Sequence, residues 1–288
     1  MEELAEPLWT HWHGHPEVLV GLGLMEGVYL LAVGPLRERY NLAESSDPRQ
    51  VATFTLGVLV ILVSLLSPLH LLSDRYLFSA HMLQHVLLTL VAPPLLIVGT
   101  PDWMLRPFLR LDIVFRMARL ATHPVLAFAL FNIVFSLWHI PTLYDLSVTY
   151  HFVHRVEHLI FMGTAALMWW PITSNMPELP RLSYPLRMGY LFLLSIAQLI
   201  VFAPITFAGV PLYEWYVDAP QIWALSPVVD QQIGAIIMKI GGGAIFMTLM
   251  IVVFFRWYKR EEEKTEVEAV EGEYLPTYLG PSGVSKGG

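Results

Sequence analysis

The stretch that decides the fold is YLFSAHMLQHVLLTLVAPPLLIVGTP, residues 76–101. It is long and apolar enough to cross a bilayer as a helix, for which about 20 residues suffice. It nevertheless contains His81 and His85, four residues apart. This spacing predicts that both imidazoles share one helix face, with roughly 5–6 Å between their Cβ atoms. Because ionisable side chains at membrane depth are costly and usually functional, the stretch predicts a site inside the membrane.

The composition of the whole chain agrees with a membrane protein. Of the 288 residues, 55% are hydrophobic and 14% are charged, against about 25% charged in a typical soluble domain. The net charge of −7 gives no basic excess, so we expect no nucleic-acid partner. The first residues include two glutamates and no basic region, so we expect no cleaved signal peptide.

The chain contains no cysteine. Disulfides, cysteine zinc sites, thiolate nucleophiles and thiolate copper sites are therefore excluded. Any bound metal has to be held by histidine, methionine, carboxylate or backbone oxygen.

Hydropathy predicts an all-α fold, a bundle of seven transmembrane helices. The predicted spans lie near residues 18–36, 51–68, 76–98, 124–141, 152–172, 186–207 and 233–257. Prolines mark many of the ends, while Pro93 and Pro94 lie inside the third span and are expected to bend it or free backbone carbonyls. The chain thus divides into a tail at 1–17, a transmembrane domain at 18–258 and a disordered tail at 259–288.

The basic residues of the connections predict the orientation. The first, third and fifth connections contain several arginines and the seventh span is followed by Arg256, Lys259, Arg260 and Lys264, whereas the second has Arg75 alone and the N-terminal tail, fourth and sixth have none. This alternation places the N-terminus outside and the C-terminus in the cytoplasm, as a multi-pass protein of the bacterial plasma membrane would have them.

With this orientation, ten of the eleven histidines fall on the outer side, and only His123 falls on the cytoplasmic side. The fifth predicted span begins with a second pair, His154 and His158, spaced like the first. Both spans run inward, and His85 and His158 each lie about two turns, roughly 12 Å, below the outer boundary. The two segments are also compatible with a parallel internal repeat.

We therefore predict a metal site formed by the two pairs, with His139 at the outer end of the fourth span as a fifth ligand and Met82 as a weaker contact. Gln84 and Glu157 lie within the pairs and are candidates to orient the imidazoles, although packing roles are about equally compatible with the sequence. An outer tail with His11, His13 and His15 is better explained as an incidental polar segment.

Three further features concern the membrane spans. Glu26 and Lys239 are predicted to face the bundle interior, where a mutual ion pair is one arrangement. The glycine run at 241–243 lies in an apolar helix and lacks a following Lys-Ser/Thr, so it indicates close helix packing and not phosphate binding.

Several separated motifs, in order and at helix-length spacing, resemble one known family. They are Ser67-Pro68-Leu69, His81-Met82, Gln84-His85, Ala92-Pro93-Pro94-Leu95, Gly99-Thr100-Pro101, His123-Pro124, Trp138-His139-Ile140-Pro141, Leu143-Tyr144-Asp145, Glu157-His158 and Trp169-Trp170-Pro171. Over roughly residues 15–255 the chain resembles the CtaG family of polytopic assembly factors associated with caa(3)-type cytochrome c oxidases.

That resemblance implies a non-enzymatic assembly factor that helps to mature a haem–copper oxidase. Its implied cargo is copper, its implied partner is the oxidase subunit that carries the dinuclear copper centre, and its surroundings are membrane lipids. Copper would meet His81, His85, His154 and His158 in an outward-open pocket and leave by ligand exchange. The choice of copper comes from the resemblance, because imidazoles also suit zinc and iron.

Two alternatives come from other classes of protein. In the first, the histidine pairs of the third and fifth spans ligate haem b in a membrane redox protein. In the second, His154-x-x-Glu157-His158 matches the inverted zincin pattern and belongs to a zinc-dependent hydrolase. The hydrolase needs a further acidic ligand, and the outer side offers only scattered acids, namely Asp145, Glu214, Asp218 and Asp230.

Overall fold

The computed structural model describes residue 12 and residues 14–274, and every regular element in this part of the chain is helical. Many of the helices begin with proline. The missing N–H of proline costs nothing in the first turn, where no intrahelical acceptor exists. Helices start in this way at Pro16, Pro48, Pro68, Pro124, Pro141 and Pro227.

The described residues form sixteen α-helices and three short π-helical segments. The α-helices are α1 Pro16–Leu31, α2 Arg37–Tyr40, α3 Pro48–Leu66, α4 Pro68–Arg75, α5 Phe78–Val86, α6 Ala92–Gly99, α7 Asp102–Leu109, α8 Asp112–Ala121, α9 Pro124–Trp138, α10 Pro141–Thr149, α11 His151–Thr173, α12 Tyr184–Ala197, α13 Leu199–Phe207, α14 Glu214–Val217, α15 Pro227–Ile236 and α16 Gly242–Tyr274. The π-helical segments are Ala32–Leu36, Leu87–Val91 and Ile237–Gly241, each joining two α-helices.

Five continuous helical stretches are long and apolar enough to cross a membrane, which identifies a membrane protein. They are Pro16–Tyr40, Pro48–Leu66, Phe78–Gly99, Tyr184–Phe207 and Pro227–Glu268. The pair α8 and α9, bent by 66°, makes a sixth if counted as one span. The predicted fifth span corresponds to α11, whose 23 residues are long enough but begin with histidine, arginine and glutamate. The number seven and the orientation of the termini remain predictions.

The stretch that was expected to organise the fold does occupy its centre. Of the apolar window in Phe78–Gly99, 56% is buried inside the protein, against 11% in Pro16–Tyr40. Its α5 half packs on α4 and α15, and its α6 half packs on α3 and α11. The largest cluster of buried apolar side chains extends from Phe78 through Phe161 and Trp169 to Phe246.

Pro93 and Pro94 are accommodated without a break in this helix. Neither residue has an N–H, so neither can bond to the carbonyl of Thr89, four or five residues earlier. The chain widens into the π-helical segment Leu87–Val91 at this point. The indole N–H of buried Trp169, on α11, donates to the freed Thr89 carbonyl at 2.9 Å. One of the carbonyls expected to be freed is thus satisfied by the neighbouring helix.

Two expectations, one about the C-terminal tail and one about the charged residues of the spans, differ from the structure. α16 continues to Tyr274, so residues 259–274 are helical where the sequence predicted disorder, and 275–288 lie outside the described residues. Glu26 and Lys239 do not pair with each other. Glu26 accepts from the Thr55 hydroxyl at 2.6 Å, and Lys239 donates to the Ser195 carbonyl at 2.9 Å.

Candidate metal centre

The two histidine pairs lie opposite each other, one on α5 and one on α11. Within each helix the four-residue spacing puts the ring centroids 4.3 Å apart for His81 and His85, and 4.4 Å apart for His154 and His158. Across the helices, His81 and His154 are 5.3 Å apart and nearly parallel, and His85 and His158 are 5.4 Å apart. The structure therefore brings together the four side chains that the sequence selected.

Two overlapping groups of donors are compact enough to surround one ion. In the first, the ligand atoms of His81, His85 and His158 all lie within 4.8 Å of one another. In the second, the same holds for His81, His154 and Glu157. His81 belongs to both groups, so it is the common member of the cluster. Their role as metal ligands remains a prediction.

Glu157 has a position that sequence reasoning missed. The sequence left an orienting role and a packing role open for it, but its carboxylate lies among the donor atoms, 4.0 Å from Nε2 of His85. Neither of its oxygens has a hydrogen bond within the described part of the chain. The neighbouring hydroxyl of Ser147 donates instead to the carbonyl of Tyr144 at 2.8 Å. The sequence did contain one indication of this position. Glu157 follows His154 by three residues, which puts both side chains on one face of the helix.

The cluster is closed to solvent and most of its polar atoms have no partner. His81, His85, His154 and His158 are exposed by 0%, 2%, 5% and 7%, and Glu157 by 0%. The expected outward-open pocket is therefore not what this structure has, because the neighbouring helices cover the rings. Both nitrogens of His81 and of His85, and Nε2 of His154 and of His158, lack a hydrogen bond among the described residues. Buried polar atoms normally have hydrogen-bond partners, so this many buried nitrogens without one require an explanation.

His139, the predicted fifth ligand, lies at the edge of this cluster. It ends α9, where Nδ1 donates to the carbonyl of Phe135 at 2.6 Å and Nε2 has no partner among the described residues. A ring held in this way presents Nε2 as a lone pair. Its ring is 6.3 Å from that of His85, and it belongs to neither compact group. Met82 packs in the apolar core beside Gly234 of α15.

Polar side chains from other elements hold the histidine-bearing helices in place. Asp74, at the end of α4, lies 3.6 Å from Nδ1 of His154, which turns Nε2 toward the cluster. Asp230 of α15 accepts the backbone N–H of Phe78 at 2.6 Å, and also the N–H and hydroxyl of Ser79. It thereby caps the start of α5. Neither contact was predicted, since such long-range contacts leave no local pattern in the sequence.

Gln84 does not orient the pair that flanks it. Its amide donates to the Ser64 carbonyl at 2.7 Å and lies 3.1 Å from Nδ1 of His70, while its oxygen accepts from Ser73. It ties α5 to α3 and α4. Through these bonds it holds His70, whose ring is 6.4 Å from that of His154 and 5.2 Å from that of His15. His11 and His13 lie outside the described residues.

Two tyrosines, one on α10 and one on α14, lie beside the cluster. The Tyr144 ring lies 5.2 Å from the His81 ring, its hydroxyl is 3.1 Å from that of Tyr216, and the latter donates to the Ser73 carbonyl at 2.6 Å. Burial raises the pKa of both phenols well above the usual value. Both groups are therefore neutral and able to donate a hydrogen bond at neutral pH.

The scattered outer acids do not complete a hydrolase site. Asp145, Glu214 and Asp218 line a separate cavity of about 620 Å³, which they share with Arg75 and Trp215. Asp145 accepts the N–H groups of Glu214 and Trp215, each at 3.3 Å, and so caps α14. The fourth acid, Asp230, caps α5 as described.

Comparison with known proteins identifies the family. A family model described as cytochrome c oxidase caa3 assembly factor (Caa3_CtaG) matches residues 27–260. Uncharacterized proteins of Mycobacterium bovis (Mb0105) and Mycobacterium tuberculosis (MT0111) are each 27% identical over 174 residues, covering 55% of this chain and 26% of theirs. One of Mycobacterium leprae (ML1998) is 24% identical over 201 residues, 64% of this chain and 30% of its own.

The chain thus spans between a quarter and a third of the length of these relatives. No solved structure matches it significantly.

Proposed function

The chain belongs to the family of cytochrome c oxidase caa3 assembly factors, and we propose that it supplies copper to the oxidase from the histidine cluster. The observation that carries this proposal is the convergence, from two facing helices, of buried imidazole nitrogens that have no hydrogen-bond partner. A metal ion carried as cargo would bind these lone pairs. Without a partner, each buried nitrogen costs the free energy of its desolvation.

The donor set suits copper as a transferable substrate. Imidazole is a borderline ligand that binds copper and zinc alike, and thiolates, which would hold Cu(I) most tightly, do not occur in this chain. The family directs the choice to copper, since haem–copper oxidases contain a dinuclear copper centre. The subunit that carries this centre is the proposed partner, and the proposed role is delivery and not catalysis.

The proposed topology places the cluster where copper is received. Seven spans, with the N-terminus outside and α16 leading into the cytoplasm, put α5 and α11 with their histidine-bearing ends at the outer face of a bacterial plasma membrane. The arginine-poor outer connections support this orientation. Since the cluster is buried, loading requires an opening at its rim, where His154 contacts Asp74 and His70.

The test is copper binding by the detergent-purified full chain. Wild type, exposed to one equivalent of copper and desalted, is expected to retain close to one ion per chain. The double variant His81→Ala/His85→Ala removes the member common to both groups, so retention should fall at least tenfold. His151→Ala removes an exposed histidine from the same end of α11 and serves as the matched control. Equal copper in all three proteins would remove the cluster from the mechanism.

The same variants give a cellular measurement. Cells that carry His81→Ala/His85→Ala are expected to assemble an oxidase that is deficient in copper at the dinuclear centre, while His151→Ala restores normal copper content. An optical spectrum of the purified wild type belongs to the same experiment. A Soret band would assign the cluster to haem b and contradict copper delivery.

One observation favours a second candidate function, a zinc-dependent membrane hydrolase. The group His81, His154 and Glu157 has the two-histidine, one-glutamate composition of many catalytic zinc sites. In that case the purified protein would retain zinc in preference to copper, and a fourth position would be open to water. The closed surroundings of Glu157 argue against it, because a substrate has no access in this structure.

A further inference from the structure

A second polar site lies between α12 and α16, at the end of the bundle opposite to the histidine cluster of α5 and α11. It is a cleft of about 640 Å³ between the segment that precedes α12 and the part of α16 beyond its apolar residues. Four basic side chains and one acidic side chain line it, a formal excess of three positive charges. The basic members are Arg181, Arg187, Arg260 and Lys264.

Arg187 is the member that makes this cleft a built site. It is only 6% exposed, and its Nε has no hydrogen-bond partner among the described residues. The guanidinium lies over the ring of Tyr184 at 4.3 Å, which holds its plane by a cation–π contact. The one acid, Glu261, is bonded to Lys264 at 2.8 Å, so it does not neutralise Arg187. A buried guanidinium of this kind calls for an anionic partner.

The residues of the cleft flank the apolar parts of two spans. Tyr184 is the first residue of the span Tyr184–Phe207, and Arg187 lies within its first turn. On the other wall, Trp257 and Arg260 follow the apolar part of α16. Tyrosine and tryptophan beside basic residues are typical of the headgroup region of a bilayer. The anions present there in quantity are phospholipid phosphates.

We propose that this cleft binds the phosphate of an anionic phospholipid headgroup. The fork of the Arg187 guanidinium matches the geometry of a phosphate, and the exposed Arg181 and Arg260 add charge around it. Basic pockets between spans at the cytoplasmic surface are known to hold such headgroups. The bound lipid bridges the start of α12 and residues 257–264 of α16, two helices that pack directly on each other.

The test is native mass spectrometry of the full chain in neutral detergent with equal amounts of phosphatidylglycerol and phosphatidylcholine. Wild type is expected to retain phosphatidylglycerol selectively. Each neutralised arginine should weaken retention about fivefold, so Arg187→Gln/Arg260→Gln should weaken it about 25-fold. The matched control is Arg116→Gln/Arg119→Gln, which removes the same charge from exposed positions of α8 on the same predicted side and should have no effect.

Arg260→Gln alone, at an exposed position, keeps the test valid if the buried Arg187 proves necessary for folding. A second arm adds inorganic phosphate at millimolar concentration to the lipid-loaded protein and measures the phosphatidylglycerol that is retained, with chloride as the control. Selective retention that depends on the cleft and is not displaced by phosphate supports the proposal. Displacement of the lipid by inorganic phosphate would show that the cleft binds a free anion, and would overturn the proposal of a lipid site. Equal retention by wild type and both cleft variants would also overturn it.

Discussion

The histidines of α5 differ from Gln84, the buried amide of the same helix, in lacking hydrogen-bond partners. Gln84 lies on the same helix and is equally buried, but its amide makes contacts to three polar groups. His81 and His85, one turn apart, make none among the described residues. A polar core that served stability alone would satisfy its imidazoles as it satisfies this amide. The unpaired nitrogens therefore indicate positions shaped for a bound group.

Asp230 is the residue that positions this helix. Its carboxylate, 3% exposed, accepts from two N–H groups and a hydroxyl at the start of α5. Asp230→Asn replaces an acceptor with a donor, so we expect the protein to lose about 1.5–3 kcal/mol of stability. The copper affinity should fall while the stoichiometry stays at one, because the ligands remain. Thermal unfolding and copper titration measure the two effects.

The control for this prediction is Asp218→Asn, which changes an exposed acid on the same predicted side. It should leave both the unfolding temperature and the copper affinity unchanged. If Asp230→Asn behaved in the same way, α5 would not depend on this cap.

Among the elements, the helix Phe78–Gly99 shows what a sequence pattern can and cannot predict. The spacing of its histidines and the presence of two prolines were visible, and they correctly indicated a shared face and freed carbonyls. The π-helical segment and the indole of Trp169 were not visible, because Thr89 and Trp169 are 80 residues apart. The two facing histidine pairs were predictable because local spacing and depth determine them. The roles of Asp74, Asp230 and Glu157 depend on packing.

The bond between Trp169 and Thr89 gives a prediction for this element. Trp169→Phe leaves a buried carbonyl without a donor, so the protein should lose about 1–3 kcal/mol of stability. In a Pro93→Ala background the backbone regains an N–H, and the loss from Trp169→Phe should shrink. Unfolding of the four proteins in one detergent measures this double-mutant cycle.

Trp223→Phe is the control for the indole, since Trp223 is 64% exposed, and it should cost little. An equal loss from Trp169→Phe in both backgrounds would show that the indole matters for its volume and not for its hydrogen bond.

In the whole molecule, two polar sites occupy opposite ends of an apolar bundle. The histidine cluster lies between α5 and α11, and the basic cleft lies between α12 and α16. The sequence predicted a membrane protein from composition, and the five to six apolar helices agree. It did not predict that the cluster would be closed, because burial depends on how α4, α10 and α14 cover it. Access to the cluster is thus a property of the assembled bundle.

The central claim is that imidazoles from two different helices hold a single ion. X-ray absorption at the copper edge, on protein loaded with less than one equivalent, tests it most directly. We predict about three imidazole ligands in wild type and one fewer in His158→Ala, although that variant leaves every histidine of α5 in place. The same copper environment in wild type and His158→Ala, or a site without imidazole, would contradict the account.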